Sequence, residues 1–266
     1  MLTHSQMQAA ADLLHTTWVE SGRIERLPDA SRPSNRAEGY AVQALLERRT
    51  VHPVFGWKIA ATSAAGQKHI GVSGPLAGRL LRERVVPADT AIPLGGNQMK
   101  VAEVEFAFTM GEDLAPKATP YTQDEVMAAV ASLHPAIEVP DSRYVDFVNA
   151  GEAQIIADNA CAHVFVLGAP AKAAWRHLDL AAYEVAATLV RAGRTTALIG
   201  RGSNVLGDPR IALTWLANEL SVLGITFARG QVATTGTCLT PIEVLPGDDV
   251  AADYGPLGSI GVRFVS

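Results

Sequence analysis

Apolar side chains in the first fifty residues recur at the spacing of a helix face. Between residues 3 and 19 they fall three or four positions apart, which predicts an amphipathic helix that begins after a Thr3 cap. Residues 35–49 repeat this spacing and predict a second helix. Together the two segments predict a small helical region over residues 1–52.

After Pro53 the pattern changes to short alternating or continuous apolar runs that are broken by glycine and proline. Runs of this kind are typical of β-strands. Nine strands are predicted, at residues 54–60, 100–110, 136–139, 163–167, 183–191, 195–199, 231–235, 249–254 and 259–265. The sequence Arg-Ala-Gly-Arg at residues 191–194 predicts a hairpin turn between two of them.

Two helices interrupt the predicted strands. The first begins after Thr122, because Thr122 and Glu125 have the spacing of a capping box, and extends to about residue 133. The second follows Asp208 and Pro209, a cap and a first-turn proline, and extends to about residue 223. The chain is therefore predicted to be α+β and β-rich, with one main domain over residues 53–266 after the helical region.

Composition and charge exclude several functional classes. The chain has 266 residues, 48% of them apolar, and a net charge of −5 without a long basic cluster, which argues against nucleic-acid binding. Two cysteines are too few for a disulfide framework and show no metal-ligand spacing. No signal sequence or membrane-length apolar run is present, so we expect a cytoplasmic protein without a membrane partner.

The segment Lys-Val-Ala-Glu-Val-Glu-Phe-Ala-Phe at residues 100–108 places two carboxylates in a predicted strand. Alternation puts Val104 and Phe106 on an apolar face and Glu103 and Glu105 together on the opposite face. That second face is either solvated or a site where two carboxylates converge on a cation. Carboxylates held close together repel each other, and a hard divalent cation relieves the repulsion.

A third carboxylate lies in a similar setting. Glu138 stands inside the short apolar run at residues 136–139. Glu103, Glu105 and Glu138 together suit an octahedral Mg²⁺, Ca²⁺ or Mn²⁺ site that leaves positions for water or substrate. Spacing alone does not decide between this metal site and a solvated face.

Four further motifs carry candidate chemistry, each with a structural alternative. Lys58, in an apolar strand that ends in two hydroxyl residues, is either an edge-strand lysine that reaches solvent or a group that binds a substrate carboxylate or shuttles protons. Asp158 either serves a local turn or orients Lys58 or a metal-bound water. The segments at residues 234–241 and 200–209 offer hydroxyl and backbone N–H groups, as an anion site or as plain turns. The second segment lacks the P-loop pattern.

These motifs occur in one order over nearly the whole chain: Lys58…Thr62-Ser63, Glu103-x-Glu105, Pro135…Val139, Ala157-Asp158-Asn159-Ala160, Gly202-Ser203…Pro209, Thr235-Gly236, and the turns at residues 246–248 and 257–259. In this order they resemble the 2-oxopent-4-enoate hydratase and 4-oxalocrotonate decarboxylase family of aromatic meta-cleavage catabolism. That family lies within the fumarylacetoacetate-hydrolase fold superfamily.

The resemblance implies a mixed β-sandwich roll of the fumarylacetoacetate-hydrolase type as the catalytic domain. It also implies Mg²⁺ or Mn²⁺ held by Glu103, Glu105 and Glu138, Lys58 as the active-site lysine with Asp158 beside it, and assembly into homo-oligomers. A complex with another enzyme of the pathway is a further expectation. The expected contacts to a small 2-oxo acid substrate are Thr62, Ser63, Ser203, Thr235, Gly236 and Thr237.

For the reaction, the resemblance favours a hydratase, a lyase that adds water to a 2-hydroxy-2,4-dienoate and gives a 4-hydroxy-2-oxo acid. Bound metal would act as a Lewis acid on the ketone. The alternatives are decarboxylation of an oxalocrotonate-like acid, C–C hydrolysis of an acylpyruvate, and a non-catalytic partner subunit.

Three positions depart from the hydratase pattern. Ser73 and Leu76 stand where acidic residues are common, and Cys161 stands where serine is usual. Leu76 and the Thr62-Ser63 pair are more typical of the decarboxylases, whereas Gly202-Ser203 matches the hydratase loop.

Overall fold

The computed structural model describes residues 1–266. The helices are α1 (His4–Val19), α2 (Arg36–Ala44), α3 (Ala64–Ile70), α4 (Gln123–Ala129), α5 (Glu152–Ala157) and α6 (Pro209–Val222). The strands are β1 (Gly56–Ala60), β2 (Leu76–Leu80), β3 (Val85–Val86), β4 (Ala91–Pro93), β5 (Val101–Met110), β6 (Val130–Val139), β7 (Val164–Leu167), β8 (Glu184–Arg191), β9 (Arg194–Arg201), β10 (Val232–Thr237), β11 (Ile242–Glu243), β12 (Asp249–Asp253) and β13 (Ser259–Val265).

The amino-terminal helices form where their caps predict. Thr3 and Gln6 form a complete capping box on α1, and the Asn35 side chain accepts a hydrogen bond from the Glu38 N–H at the start of α2. These caps satisfy backbone donors that a helix leaves without partners. Both helices contribute to a small apolar cluster with Tyr144, which ties the amino-terminal region to the rest of the chain.

The larger sheet has eight strands and contains the long strands β5 and β6. Its order is β2-β1-β10-β5-β6-β7-β3, with the short β11 pairing with β5 where β10 leaves it. Because β1 lies between β2 and β10, it is an interior strand, one position in from the edge strand β2. The burial of β1, β2 and β10 is nearly continuous, as expected for strands covered on both faces.

The second sheet has five strands in the order β4-β13-β12-β8-β9. It packs on the larger sheet through aromatic side chains, with the rings of Phe106 and Tyr254 in an edge-to-face contact at 5.2 Å. The Tyr254 hydroxyl also donates a hydrogen bond to the Glu105 carbonyl at 2.7 Å. The two packed sheets form the predicted β-rich roll. None of the helices combines the length and apolar character needed to cross a bilayer.

One predicted helix is shorter than expected. The capping box at Thr122 is present, but α4 ends at Ala129 and the chain continues from Val130 as β6, which pairs with β5 along most of its length. Long-range strand pairing therefore overrides the local helical pattern at residues 130–133. The predictions also missed the short elements α3, α5, β2, β3, β4 and β11.

Candidate active site

The pairing of β5 with β6 brings the three predicted carboxylates together. Glu103 and Glu138 are directly opposite each other in the ladder, and Glu105 lies two residues further along β5. One oxygen from each carboxylate lies within 4.8 Å of the others. Glu105 and Glu138 are fully buried and Glu103 is partly buried, so the solvated-face alternative is wrong for this face of β5. We call these three residues the glutamate cluster.

The hydrogen bonds of the glutamate cluster are incomplete. Glu105 Oε2 accepts hydrogen bonds from the Gly236 N–H at 2.8 Å and from the Thr234 hydroxyl. Glu105 Oε1 and Glu138 Oε1 are buried without any partner, and Glu138 Oε2 has only the Lys58 ammonium beside it, at 3.0 Å. Leaving charged oxygens unsatisfied in a protein interior is costly, so this arrangement calls for a ligand.

Lys58 lies beside the glutamate cluster. It lies on the interior strand β1 and is only 3% exposed, so the edge-strand alternative is also wrong. Its Nζ lies 3.0 Å from Glu138 Oε2 and donates a hydrogen bond to the Ala160 carbonyl at 3.1 Å. Burial alone would lower the pKa of Lys58, but the neighbouring Glu138, with Glu103 and Glu105, raises it above the ordinary value. Lys58 is therefore held as an ammonium.

One ammonium does not balance three carboxylates. Burial, followed by the charge of Glu103, raises the pKa of Glu105 to about 8, and burial raises the pKa of Glu138 well above its ordinary range. A divalent cation would supply the missing positive charge and accept the unpaired oxygens. The all-carboxylate donor set matches the preference of Mg²⁺, Ca²⁺ and Mn²⁺.

The cluster borders a cavity of about 1290 Å³. Lys58 and Glu103 line this cavity, and α3 and the loops after β9 and β10 supply other parts of its wall. Five of the six predicted substrate contacts are among the lining residues: Thr62, Ser63, Ser203, Gly236 and Thr237. The exception is Thr235, which is buried with its hydroxyl bonded to the Phe106 carbonyl at 2.9 Å.

Gly236 has a specific steric reason to be glycine. Its φ is +96°, and a Cβ at this position would lie 2.0 Å from the Thr62 hydroxyl oxygen. Glycine therefore lets β10 approach Thr62 while its N–H reaches Glu105. The Ser63 hydroxyl already has one partner, because it caps α3 by accepting a hydrogen bond from the Gly66 N–H at 3.0 Å.

Asp158 lies outside the cavity lining, and its carboxylate binds other groups. It accepts hydrogen bonds from the Ser142 hydroxyl at 2.7 Å and the Arg143 N–H at 3.0 Å, and it forms an ion pair with the Arg143 guanidinium. We call Asp158, Arg143 and Ser142 the aspartate cluster. The chain from Asp158 continues directly to Ala160, the acceptor of the Lys58 bond.

The three departures from the hydratase pattern fall in different environments. Leu76 is fully buried in the main core and Ser73 is exposed, bonded to Glu152, so neither reaches the cavity. Cys161 does line the cavity, and burial raises the pKa of its thiol to about 12. Cys161 and Cys238 are both free thiols.

Sequence reasoning missed other residues of the cavity wall. His69 and Phe147 both line it, with their rings in edge contact at 6.5 Å, and Gln98 and Asn204 add polar groups. It also missed Arg143, the partner of Asp158. The only local signal was the polar run Asp141-Ser142-Arg143 after an apolar strand, which does not name its partner.

Comparisons with known proteins agree with this geometry. A 2-keto-4-pentenoate hydratase of Paraburkholderia xenovorans is 31% identical over 268 residues, covering 100% of this chain and 97% of the relative. A 4-oxalocrotonate decarboxylase of Pseudomonas putida is 28% identical, covering 99% of this chain and 98% of the relative. No protein-family model matches the chain.

Solved structures give the same result. The 4-oxalocrotonate decarboxylase from Pseudomonas putida G7, complexed with magnesium and adipate, superimposes with a TM-score of 0.87 at 27% identity, covering 100% of this chain and 99% of that chain. The fold is thus of the fumarylacetoacetate-hydrolase type, and the class of protein is a lyase. The chain belongs to the 2-keto-4-pentenoate hydratase and 4-oxalocrotonate decarboxylase family.

Proposed function

We propose that this protein is a Mg²⁺-dependent hydratase that adds water to a 2-hydroxy-2,4-dienoate and forms a 4-hydroxy-2-oxo acid. The observation that carries the proposal is the glutamate cluster at the edge of a large cavity, in which Glu105 Oε1 and Glu138 Oε1 are buried without any partner. Hydratases among the curated relatives, including a 2-hydroxyhexa-2,4-dienoate hydratase of Comamonas testosteroni, support this reaction class.

Glu103, Glu105 and Glu138 would hold the cation. When bound, it supplies Lewis-acid polarisation of the keto oxygen of a 2-oxo acid. A structural neighbour complexed with magnesium and another complexed with calcium and acetate support a divalent cation in this fold. We favour Mg²⁺ over Mn²⁺ because the structural neighbour is complexed with magnesium.

Lys58 would position and protonate the substrate. Its ammonium already has Glu138 and the Ala160 carbonyl as partners, which leaves one N–H free to donate to a substrate oxygen. The 2-hydroxyl of the dienoate loses its proton as carbon 5 gains one, which gives a 2-oxo-3-enoate. The oxygen of water then adds to carbon 4 and carbon 3 gains a proton, which gives the 4-hydroxy-2-oxo acid. The cavity hydroxyls of Thr62 and Ser203 are suited to hold the substrate carboxylate and the attacking water, whereas the Thr237 hydroxyl already donates to the Leu239 carbonyl at 2.7 Å.

The charge of the cavity favours hydration over decarboxylation of an oxalocrotonate. Its ionisable lining residues are Lys58, Glu103, His69 and Cys161, and no arginine or second lysine faces it. An oxalocrotonate has two carboxylates, and burying the second one without a cation would be costly. A dienoate has one carboxylate and an apolar tail, which suits a wall that includes Phe147, among other apolar residues.

The test is a direct comparison of the two substrates. Purified protein with Mg²⁺ should remove the absorbance of 2-hydroxypenta-2,4-dienoate with at least a tenfold higher kcat/KM than that for CO₂ release from 4-oxalocrotonate. Glu103→Ala should abolish the activity, whereas Glu112→Ala, a change at an exposed glutamate, should leave it unchanged. Release of CO₂ without hydration of the dienoate would overturn the proposal in favour of a decarboxylase.

We further propose that the protein acts in the cytoplasm as a homo-oligomer, which can associate with another enzyme of the pathway. Strand β9 is an edge of the five-stranded sheet, and its Ile199 side chain is 71% exposed. The edge of a sheet presents unpaired backbone N–H and C=O groups, so β9 suits pairing with a strand of a second copy. Light scattering coupled to gel filtration measures the mass, and a mass of 28.1 kDa would contradict the oligomer.

A further inference from the structure

The segment that follows Asp158 has an unusual backbone. Asn159, Ala160 and Cys161 have φ angles of +55°, +50° and +61°, so three consecutive residues other than glycine are left-handed. We call these three residues the left-handed turn. Asparagine tolerates this region, but alanine and cysteine are strained in it because Cβ crowds the following carbonyl. Three such residues in a row persist only where surrounding contacts enforce them.

Two sets of contacts enforce the turn. On one side, the aspartate cluster fixes Asp158, and Arg143 Nη1 donates a hydrogen bond to the Ala162 carbonyl at 3.1 Å beyond the turn. On the other side, the Asn159 amide pairs with β2, accepting from the Arg79 N–H at 2.6 Å and donating to the Arg79 carbonyl at 2.8 Å. Asn159 is 1% exposed, so water does not compete for these bonds.

The turn contributes Ala160 and Cys161 to the cavity wall, and one of its backbone groups contacts Lys58. The Ala160 carbonyl accepts the hydrogen bond from Lys58 Nζ at 3.1 Å, opposite the ion pair between Lys58 and Glu138. Close packing maintains this contact, because a Cβ on Gly78 would lie 2.5 Å from the Asn159 carbonyl oxygen and 3.0 Å from Lys58 Cγ. With a right-handed backbone at Ala160, its carbonyl would point in a different direction and the ammonium would lose this partner.

We propose that the left-handed turn is the device that fixes the Lys58 ammonium at the cavity, and that Asn159 is its positioning residue. Asn159 does not line the cavity and acts only through the Ala160 carbonyl. The effect on turnover rests on the proposed hydratase function. The effect on the position of Lys58 is a property of the fold and does not depend on that function.

The primary test is Asn159→Gly, which keeps the freedom for positive φ but removes the amide pair with Arg79. We expect kcat for dienoate hydration to fall 10- to 100-fold, with KM and Mg²⁺ affinity changed less than threefold. In a crystal structure of the variant, the separation of Lys58 Nζ from the Ala160 carbonyl oxygen should exceed hydrogen-bond range. A distance that stays at 3.1 Å together with an unchanged kcat would overturn the proposal.

Gln43→Ala is the matched control. Gln43 is also a buried amide, and its Nε2 donates to the Ala77 carbonyl on β2 at 2.9 Å and to the Ile156 carbonyl on α5 at 2.8 Å. Its loss should lower the Tm as Asn159→Gly does, but leave kcat within twofold. Equal losses of kcat in both variants would show that Asn159 acts only through stability, which also overturns the proposal.

A double-mutant cycle tests the route through Lys58. Asn159→Gly should lower kcat less than twofold in a Lys58→Arg background, because the positioned ammonium is already absent there. Full additivity of the two changes would contradict the proposal. The variant Ala160→Gly should fold normally, since glycine accepts the positive φ. It keeps the carbonyl, so its Tm should not fall, and in its crystal structure Lys58 Nζ should stay within hydrogen-bond range of that carbonyl; loss of the contact would contradict the proposal.

These outcomes separate the inference from the proposed function. If the native protein hydrates no dienoate, the function fails, but the crystal structure of Asn159→Gly still tests the position of Lys58. If hydration is observed and Lys58 does not move in the variant, only the present inference fails.

Discussion

The molecule contains two buried clusters of charged residues that differ in how their charges are balanced. In the aspartate cluster, one carboxylate faces one guanidinium, and both Asp158 oxygens accept hydrogen bonds from Ser142 or Arg143. In the glutamate cluster, three carboxylates face one ammonium, which pairs with Glu138 Oε2, and Glu105 Oε1 and Glu138 Oε1 have no donor. The clusters are joined through the left-handed turn, which connects Asp158 to the carbonyl that binds Lys58.

The difference separates a structural site from a ligand site. A buried charge that is fully paired and hydrogen-bonded needs nothing from outside the chain, and removing its partner destabilises the fold. A buried cluster with excess charge and unpaired oxygens is complete only when a cation binds. The two clusters should therefore respond in opposite ways to substitution, with binding lost in one and stability lost in the other.

The largest expected effect is on catalysis. Glu138→Gln keeps the shape of the side chain but removes a charge and a metal-binding oxygen, so Mg²⁺ affinity should fall at least ~100-fold and kcat/KM by roughly 10³-fold or more. Isothermal calorimetry and the dienoate assay measure the two quantities. Glu243→Gln, at an exposed position, should change neither. Native Mg²⁺ affinity in Glu138→Gln would show that the cation binds elsewhere.

The next largest effect is on stability. Arg143→Ala leaves the Asp158 carboxylate buried without its cation, and the free energy of unfolding should fall by about 3–5 kcal/mol. Urea denaturation measures this loss, and Mg²⁺ affinity of the folded fraction should stay within threefold of native. Arg263→Ala breaks an exposed ion pair with Asp249 and serves as the control with little change. Loss of Mg²⁺ binding without loss of stability would reverse the roles assigned to the two clusters.

The sequence predicted the chemistry of the site better than its geometry. Alternation along residues 100–108 correctly put Glu103 and Glu105 on one face, because side chains alternate in any strand. The direct pairing of Glu103 with Glu138 depends on the register between β5 and β6, which are separated by α4. No local pattern encodes that register. The apolar settings of the three glutamates suggested a shared metal site, and the resemblance to a known family favoured that site over a solvated face.

The missed elements have a similar cause. Strand β2, Leu-Ala-Gly-Arg-Leu, has little intrinsic strand propensity and forms because it pairs with β1 along its whole length. Gly78 in this strand must be glycine because the left-handed turn packs against it. In the sequence alone, this glycine only interrupts the apolar pattern of the strand. The ion pair between Arg143 and Asp158 could not be predicted for a similar reason, since both residues lie in irregular connections.

The smallest expected effect is on the pH dependence of stability, and it arises at the edge of the aspartate cluster. Arg143 stacks on the Trp18 ring at 4.7 Å, and the Trp18 indole N–H donates to His163 Nδ1 at 2.8 Å. Burial, followed by the charges of Arg84 and Arg143, lowers the pKa of His163 to about 3. His163 is therefore neutral in the folded state throughout the physiological range.

The sign of the pH effect follows from this lowered pKa. Below the ordinary pKa of 6.5, His163 binds a proton in the unfolded state but not in the folded state. The stability that depends on neutral His163 is therefore fully present above pH 6.5 and is lost as the pH falls toward 3. Between pH 6.5 and 5 the loss should be about 2 kcal/mol. In His163→Gln, which keeps an acceptor for Trp18, urea denaturation should show a decline smaller by this amount. Parallel pH profiles in the two proteins would mean that His163 is protonated in the fold, and that the aspartate cluster tolerates an additional positive charge beside Arg143.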